Sequence, residues 1–359
     1  MESNLKQKDL PKNFCFRPWN EVYSRYDTFG PCCVNNTLYN GDFDSYLVSK
    51  ELKELKKSFL LGKKHSSCEH CWNTEDSGLK SIRQQNLDIS NKVHRLSLSL
   101  GYKCNFKCVM CNPEDSSAWS KDTKACHIRG MSPVTFKNFY HNIDWVINYS
   151  KNNKITLSIM GGEPFICDEY LYLLNEIDKY SLYDNINLVV TTNLSVLTYK
   201  DVNHLDILRK FPKKEMYVSF DGVGVVGEYI RTGFKMSKFI ENLEKSLDLV
   251  SFLSVTIQIY NIFNMPHIFN FADKYNLKTD FNFLTDPDFL SINILSASDK
   301  QKVKDYYKKV GWTNTDIINV LSSTIDLKKK DKFLQYTKGL DLLWGRDCFN
   351  SIPELKQII

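Results

Sequence analysis

The chain has 359 residues, 42% hydrophobic and 25% charged, with a net charge of +5. That balance supplies core for one large domain or two moderate ones and argues against a disordered chain. The small positive charge permits an anionic ligand without demanding nucleic acid. No run of about 18 apolar residues predicts a membrane span, and the opening MESNLKQKDL predicts no signal peptide, so a cytoplasmic setting is expected.

Residues 1–92 read as a cysteine-rich segment, with turn signals at Gly30–Pro31 and Asn35–Asn36 and a Lys/Leu-rich helix over Ser49–Phe59. From Leu96 onward, short apolar or alternating strands take turns with stretches of helical period. Six strands are predicted: Leu96–Leu100, Ile155–Met160, Leu188–Thr192, Tyr217–Phe220, Leu253–Ile259 and Asp280–Leu284. Helices are predicted at Phe136–Tyr149, Tyr170–Tyr180, Lys238–Val250 and His267–Tyr275. This alternation predicts an α/β fold with a parallel sheet and right-handed crossovers. Six units suit a partial (β/α)6 barrel of the TIM type better than a closed eight-strand one, with an open doubly wound sheet as the alternative. Beyond about residue 290 the strand signal stops, and Gln301–Lys309 and Lys328–Trp344 predict closing helices. The expected division is an N-terminal cysteine-rich module (1–92), the partial barrel (93–290) and a C-terminal helical cover (291–359).

Eight of the eleven cysteines lie within the first 111 residues, and in a cytosolic chain clustered cysteines point to metal before disulfides. The run LSLSLGYKCNFKCVMCNP is a strand followed by a loop with C-x3-C-x2-C spacing at Cys104, Cys108 and Cys111. Three thiolates on one loop can each take one iron of a [4Fe–4S] cubane and leave the fourth iron open. A zinc knuckle would want a fourth ligand nearby, and Cys126–His127 is the pair to consider.

CNFKCVMC resembles the cluster loop of the radical S-adenosylmethionine (SAM) superfamily. The resemblance implies that SAM binds the open iron and is reductively cleaved to methionine and a 5′-deoxyadenosyl radical. It places the Met110 backbone at the adenine, although the commoner residue there is aromatic. One strand later, Gly161, Gly162, Glu163 and Pro164 resemble the superfamily's motif for the SAM amino group, and paired glycines at a strand end allow a backbone to approach a ligand closely. Thr192–Asn193 and Ser219–Asp221 end the third and fourth predicted strands, where polar residues face a barrel mouth. VSFDGVGVVGEYIRTG resembles members carrying a SPASM or twitch domain, which implies a SAM contact from Ser219 and from Arg231.

Residues 14–33 and 68–72, FCFRPWNEVYSRYDTFGPCC and CEHCW, resemble an N-terminal twitch or SPASM-like auxiliary module of a superfamily subgroup. Only Gly30–Pro31 precedes the Cys pair, a shortened form of that pattern. The resemblance implies a second [4Fe–4S] cluster on Cys15, one of Cys32 and Cys33, Cys68 and Cys71. A four-thiolate zinc site is the chemical rival. Pro18, Trp19 and Trp72 read as packing residues, and the C-terminal LLWGRDCFNSIPELKQII resembles this subgroup's closure. Cys126, Cys167 and Cys348 have no metal spacing and read as buried thiols, Cys126 being the better candidate for a hydrogen-atom donor.

The expected function is therefore a radical SAM enzyme that abstracts hydrogen from a peptide, nucleotide or sugar. A reductase or flavodoxin-type donor would supply the electron, and no membrane or nucleic-acid partner is expected. An iron–sulfur electron-transfer or redox-sensing protein would have no need of the GGEP strand end. A zinc-stabilised nucleic-acid-binding module would need a dense basic face with interleaved aromatics, whereas 47 Lys and Arg here face 42 Asp and Glu.

Overall fold

The computed structural model describes residues 10–26, 28–76, 78–85, 92–134 and 143–359. The strands that organise it are β1 (Glu21–Arg25), β2 (Thr28–Gly30), β3 (Tyr39–Asn40), β4 (Arg95–Ser99), β5 (Lys107–Cys108), β6 (Ile155–Met160), β7 (Ile186–Thr192), β8 (Lys214–Ser219), β9 (Arg231–Thr232), β10 (Val250–Ile257) and β11 (Lys278–Phe283). The main helices are α1 (Lys50–Leu60), α2 (Glu69–Asp76), α3 (Thr123–Arg129), α4 (Asp144–Asn152), α5 (Asp168–Lys179), α6 (His204–Lys210), α7 (Met236–Glu244), α8 (Met265–Lys274), α9 (Ala297–Lys309) and α10 (Lys330–Trp344). None of the helices among the described residues is long and apolar enough to cross a membrane.

By contact the chain forms two compact units. The first takes the described residues of 1–101, 137–191 and 203–215, the second those of 102–136, 192–202 and 216–359. In the first, β1, β4, β6 and β7 are parallel neighbours in chain order, with Arg25 opposite Ser99, Ser99 opposite Met160 and Ile159 opposite Val190. β2 runs antiparallel to β1, and β3 to β2. In the second, β8, β10 and β11 are parallel neighbours in chain order, and β5 pairs antiparallel with β9. Within neither unit does the parallel order double back, as a doubly wound sheet requires. The α/β class and all six predicted strands stand, as β4, β6, β7, β8, β10 and β11.

Local chemistry accounts for these elements. In β6 the side chains alternate, Ile155, Leu157 and Ile159 buried against half-buried Thr156, Ser158 and Met160. In α1, Ser49 caps the start by accepting from Leu52 N at 3.2 Å, and Leu52, Leu55 and Phe59 form the buried stripe. α5 buries Tyr170, Leu171, Leu173, Leu174 and Ile177, with Asp168 and Glu169 favourably placed in its first turn. Each such apolar side chain contributes about 1.5–3 kcal/mol on burial.

Three expectations change. The helix predicted over Lys238–Val250 stops at Glu244, and Val250 instead opens β10. Ser246 makes the stop, its hydroxyl donating to the Asn242 and Leu243 carbonyls. The helix predicted over Phe136–Tyr149 is found as α4, Asp144–Asn152, and residues 136–142 lie outside the described residues. β1 is an addition, because EVYSR carries too few apolar residues to signal a strand; its buried Glu21 is matched by Arg17 and by the Ser97 hydroxyl at 2.9 Å.

Candidate functional site

The three-cysteine loop lies in the second unit and is held through its backbone. Ser117 Oγ accepts from Cys104 N at 3.1 Å, and Ser116 Oγ donates to the Phe106 carbonyl at 2.8 Å. Trp119 Nε1 donates to the Cys108 carbonyl at 2.8 Å, and the Tyr336 hydroxyl of α10 donates to the Val109 carbonyl at 2.7 Å. Cys111 N closes a turn on the Cys108 carbonyl at 2.9 Å. The Met110 carbonyl accepts from Arg129 Nη2 at 3.4 Å. The loop is thus preset by groups that do not use its sulfurs.

Arg231 meets this loop directly. β9 sets Arg231 opposite Cys108 in the two-stranded ladder, and Arg231 Nη1 approaches Cys108 Sγ at 3.9 Å. Arg231 Nη2 lies 2.6 Å from Asp221 Oδ2, and Asp221 Oδ1 accepts from Thr256 N at 2.8 Å. Arg231 Nε–H is buried with no hydrogen-bond partner among the described residues. Burial raises the Cys108 thiol above the usual range, with the Arg231 charge opposing it. Burial raises Cys111 well above its ordinary value, with Cys108 adding to the shift.

The remaining strand-end residues of this unit serve turns. Thr192 Oγ1 accepts from Leu194 N at 3.0 Å, and Asn193 Oδ1 from Ser195 N at 2.9 Å. Asn193 Nδ2 also donates to Asn105 Oδ1 at 3.0 Å, which ties this turn to the cysteine loop. Ser219 is half-buried at the end of β8.

In the first unit β6 ends at Met160, and Gly161 and Gly162 follow with φ of +89° and +51°. Glu163 is 1% exposed and caps a short turn by accepting from Phe165 N at 3.1 Å, with Pro164 buried behind it. His204 stacks on Phe165 and bonds its carbonyl through Nε2 at 2.8 Å; burial lowers its pKa to about 4, so it is neutral. Part of the reason for glycine at 161 is internal. A Cβ there would lie 2.4 Å from Ser99 Oγ and 2.8 Å from the Gly101 carbonyl. Gly161→Ala is therefore expected to destabilise the chain by about 3 kcal/mol through left-handed strain and overpacking. Urea denaturation measures this, and adding Ser99→Gly should restore only part, because the Gly101 carbonyl remains.

The N-terminal cysteines also lie in the first unit. Cys15 and Cys68 pack in one cluster with Phe14, Trp19, Leu55, Phe59 and Trp72, so both tryptophans are core residues. Cys32 and Cys71 are buried, whereas Cys33 is exposed. Asn35 Nδ2 reaches Cys68 Sγ at 3.7 Å and Ser67 Oγ at 3.0 Å, joining the Cys32–Cys33 turn to the Cys68 segment. Burial pushes the Cys15 thiol up to about 12, against the Arg17 backbone N–H, with Cys68 and Cys71 within electrostatic reach. Arg17 is paired with Glu21 and bonded to Gln85 Oε1 at 2.8 Å, with Cys32, Cys33 and Cys15 within electrostatic reach.

No group of three or more His, Cys, Asp or Glu side chains among the described residues is arranged to hold a metal ion as it stands. The chemistry of the donor sets nevertheless fits a thiolate-bound group. In the loop set Arg231 Nη1 lies 3.9 Å from Cys108 Sγ, with its Nε–H unpartnered among the described residues, and in the N-terminal set Asn35 Nδ2 lies 3.7 Å from Cys68 Sγ. Binding would draw the sulfurs together and release their protons.

The isolated cysteines are core thiols. Cys126 is fully buried and donates to the Trp119 carbonyl at 3.3 Å, which does not favour it as a hydrogen-atom donor. Cys167 donates to Glu169 Oε2 at 2.9 Å, and Cys348 is fully buried. Sequence reading missed Asn105, Ser117, Trp119 and Tyr336 around the loop, Arg17 and Glu21 beside the N-terminal thiols, and His204 beneath the glycine turn. Arg17 and Glu21 pair four residues apart, but other partners lie up to 227 positions away, as for Tyr336 and Val109, where no local pattern marks them.

No protein-family profile matches the chain, and no curated protein does. Solved structures to which it is similar include Streptococcus suis SuiB bound to precursor peptide SuiA, at 14% identity over 77% of this chain and 53% of that one, with a TM-score of 0.42. A histidine-tagged anSMEcpe with bound AdoMet is 15% identical over 60% of this chain and 57% of that one, with a TM-score of 0.43. TYW1 with a lysine–pyruvate adduct bound is 14% identical over 60% of this chain and 71% of that one, with a TM-score of 0.31. The chain spans little more than half the length of the first two. Likeness at this level decides nothing about its chemistry.

Proposed function

We propose that the chain is a radical SAM enzyme, with Cys104, Cys108 and Cys111 holding its catalytic [4Fe–4S] cluster. The observation that carries the reading is the C-x3-C-x2-C loop locked in register against β9, so that Arg231, its side chain 12% exposed, faces Cys108 at 3.9 Å. When bound, the reduced cluster would supply the electron that cleaves SAM to methionine and a 5′-deoxyadenosyl radical. The chain's own part is positional. Ser117, Trp119 and Tyr336 hold the loop backbone, and Asp221 orients Arg231 so that its free Nε–H remains for an anionic group. Gly161, Gly162, Glu163, Pro164, Ser219 and the Met110 backbone are proposed SAM contacts on the strength of the motif resemblance, and Thr192, Asn193 and Asp221 on their place at strand ends.

A second cluster is proposed on Cys15, Cys68, Cys71 and one of Cys32 and Cys33, with 1–92 as auxiliary module, 93–290 as catalytic segment and 291–359 as cover. A peptide, nucleotide or sugar is the proposed substrate, in a cytoplasmic setting with a reductase or flavodoxin-type donor. Anaerobically reconstituted full chain is expected to hold about eight iron and eight sulfide, two cubanes' worth, and to form 5′-deoxyadenosine from SAM when reduced with dithionite. Iron and sulfide analysis with Mössbauer spectroscopy checks the first, and chromatography of the nucleoside the second. Zinc in the N-terminal set with about four iron elsewhere would remove the second cluster. Loaded, reduced protein that leaves SAM intact would overturn the enzyme reading.

A further inference from the structure

The first unit contains a cavity of about 190 Å³, and Asn35 and Ser67 of its lining also touch Cys68. Phe29, Tyr39 and Tyr46 line it together with Leu52 and Leu55 from α1. The Phe29 and Tyr46 rings stack with centroids 5.9 Å apart, and Tyr39 tilts against Tyr46 at 6.0 Å. Tyr46 is 2% exposed, and its hydroxyl has no hydrogen-bond partner among the described residues. Such a group is costly to bury unless something fills its bonding capacity.

Two carboxylates lie on the polar side of the lining, and His65 also lines it, its Nδ1 accepting from Ser67 N at 3.2 Å. Glu51 and Glu54 stand three residues apart on α1, each next to one of the inward leucines, and both line the cavity while remaining exposed. Glu54 makes a loose exposed contact with Lys50, at 3.7 Å. Aromatic faces and carboxylates both attract a cation and disfavour an anion. A wholly apolar occupant would leave the Tyr46 oxygen unsatisfied.

We propose that this cavity binds an alkylammonium group. The alkyl stem lies against the rings, Leu52 and Leu55, while the ammonium donates to the Tyr46 hydroxyl oxygen and faces Glu51 and Glu54. The proposal does not depend on radical SAM chemistry.

The test is calorimetric titration of the anaerobically purified full chain with three probes: N-acetyl-lysine N-methylamide, n-butylamine and N-acetylnorleucine N-methylamide. Saturable binding of the lysine probe is expected, with the uncharged norleucine probe at least tenfold weaker, a difference of about 1.4 kcal/mol. Binding of n-butylamine as well would mean that a free amine suffices; binding of the lysine probe alone would mean that the group is taken from a peptide. E51Q/E54Q should weaken the lysine probe about tenfold and leave the norleucine probe unchanged. Tyr46→Phe should weaken the lysine probe without lowering the thermal midpoint, because it removes only an unpaired hydroxyl. Equal affinity for the lysine and norleucine probes, no saturable amine binding, or unchanged lysine affinity in folded E51Q/E54Q would overturn the proposal.

Discussion

Replacing Cys104, Cys108 and Cys111 together by Ala is expected to abolish 5′-deoxyadenosine formation and to lower the iron content by about four atoms per chain. The loop itself should persist. Its backbone is held by Ser116, Ser117, Trp119 and Tyr336, and none of those bonds involves a sulfur. What is lost is the donor set, together with the weak contacts of Phe106 N to Cys104 Sγ at 3.5 Å and of Arg231 to Cys108 Sγ. Circular dichroism should therefore match the parent while the activity disappears and about half of the iron is lost. Replacing Cys68 and Cys71 instead should remove iron but spare some SAM cleavage, if that set is auxiliary. Parent-level turnover in the triple variant would refute the assignment of the loop.

Arg231→Met is expected to destabilise the folded chain by about 3–5 kcal/mol, the cost of leaving a buried charge unpaired. The Asp221 side chain is 0% exposed, and without Arg231 it still accepts from Thr256 N but has lost its counter-charge. The Arg231–Cys108 contact goes as well, so cluster loading should fall alongside stability. Arg231→Met with Asp221→Asn separates the two effects. Neutralising the stranded carboxylate should recover most of the stability, measured by urea denaturation, but should not recover loading, measured as iron per folded chain. Recovery of both would mean that Arg231 acts only through the ion pair. Arg231→Lys keeps the charge but loses the planar fork, and should be intermediate.

Local pattern carried much of this molecule. Strand alternation such as Ile155–Met160, with its buried and half-buried faces, is visible in six residues because side-chain direction in a strand repeats every two. The C-x3-C-x2-C loop is equally local, since three donors within eight residues need no fold to bring them near one another. Helix ends marked by a capping residue, as Ser49 marks α1, were legible for the same reason. Where a stop rests on one hydroxyl turning back on the backbone, as at Ser246, the helical period ran on in the sequence beyond the helix.

The sequence by itself determined the α/β alternation, the two cysteine sets and the glycine turn after β6. Only the tertiary structure decided that EVYSR is a strand, since Glu21 becomes tolerable inside once Ser97, 76 residues on, joins the local Arg17 in answering it. Only the tertiary structure decided that Arg231 faces Cys108 across a ladder, 123 residues apart in the chain. It also revealed that Gly161 answers in part to Ser99 and Gly101. The physical reason is common to all three. Period and spacing record how neighbours along the chain share a face, whereas a buried charge or a backbone crowded by another strand has its partner at long range, and only the closed fold brings that partner into contact.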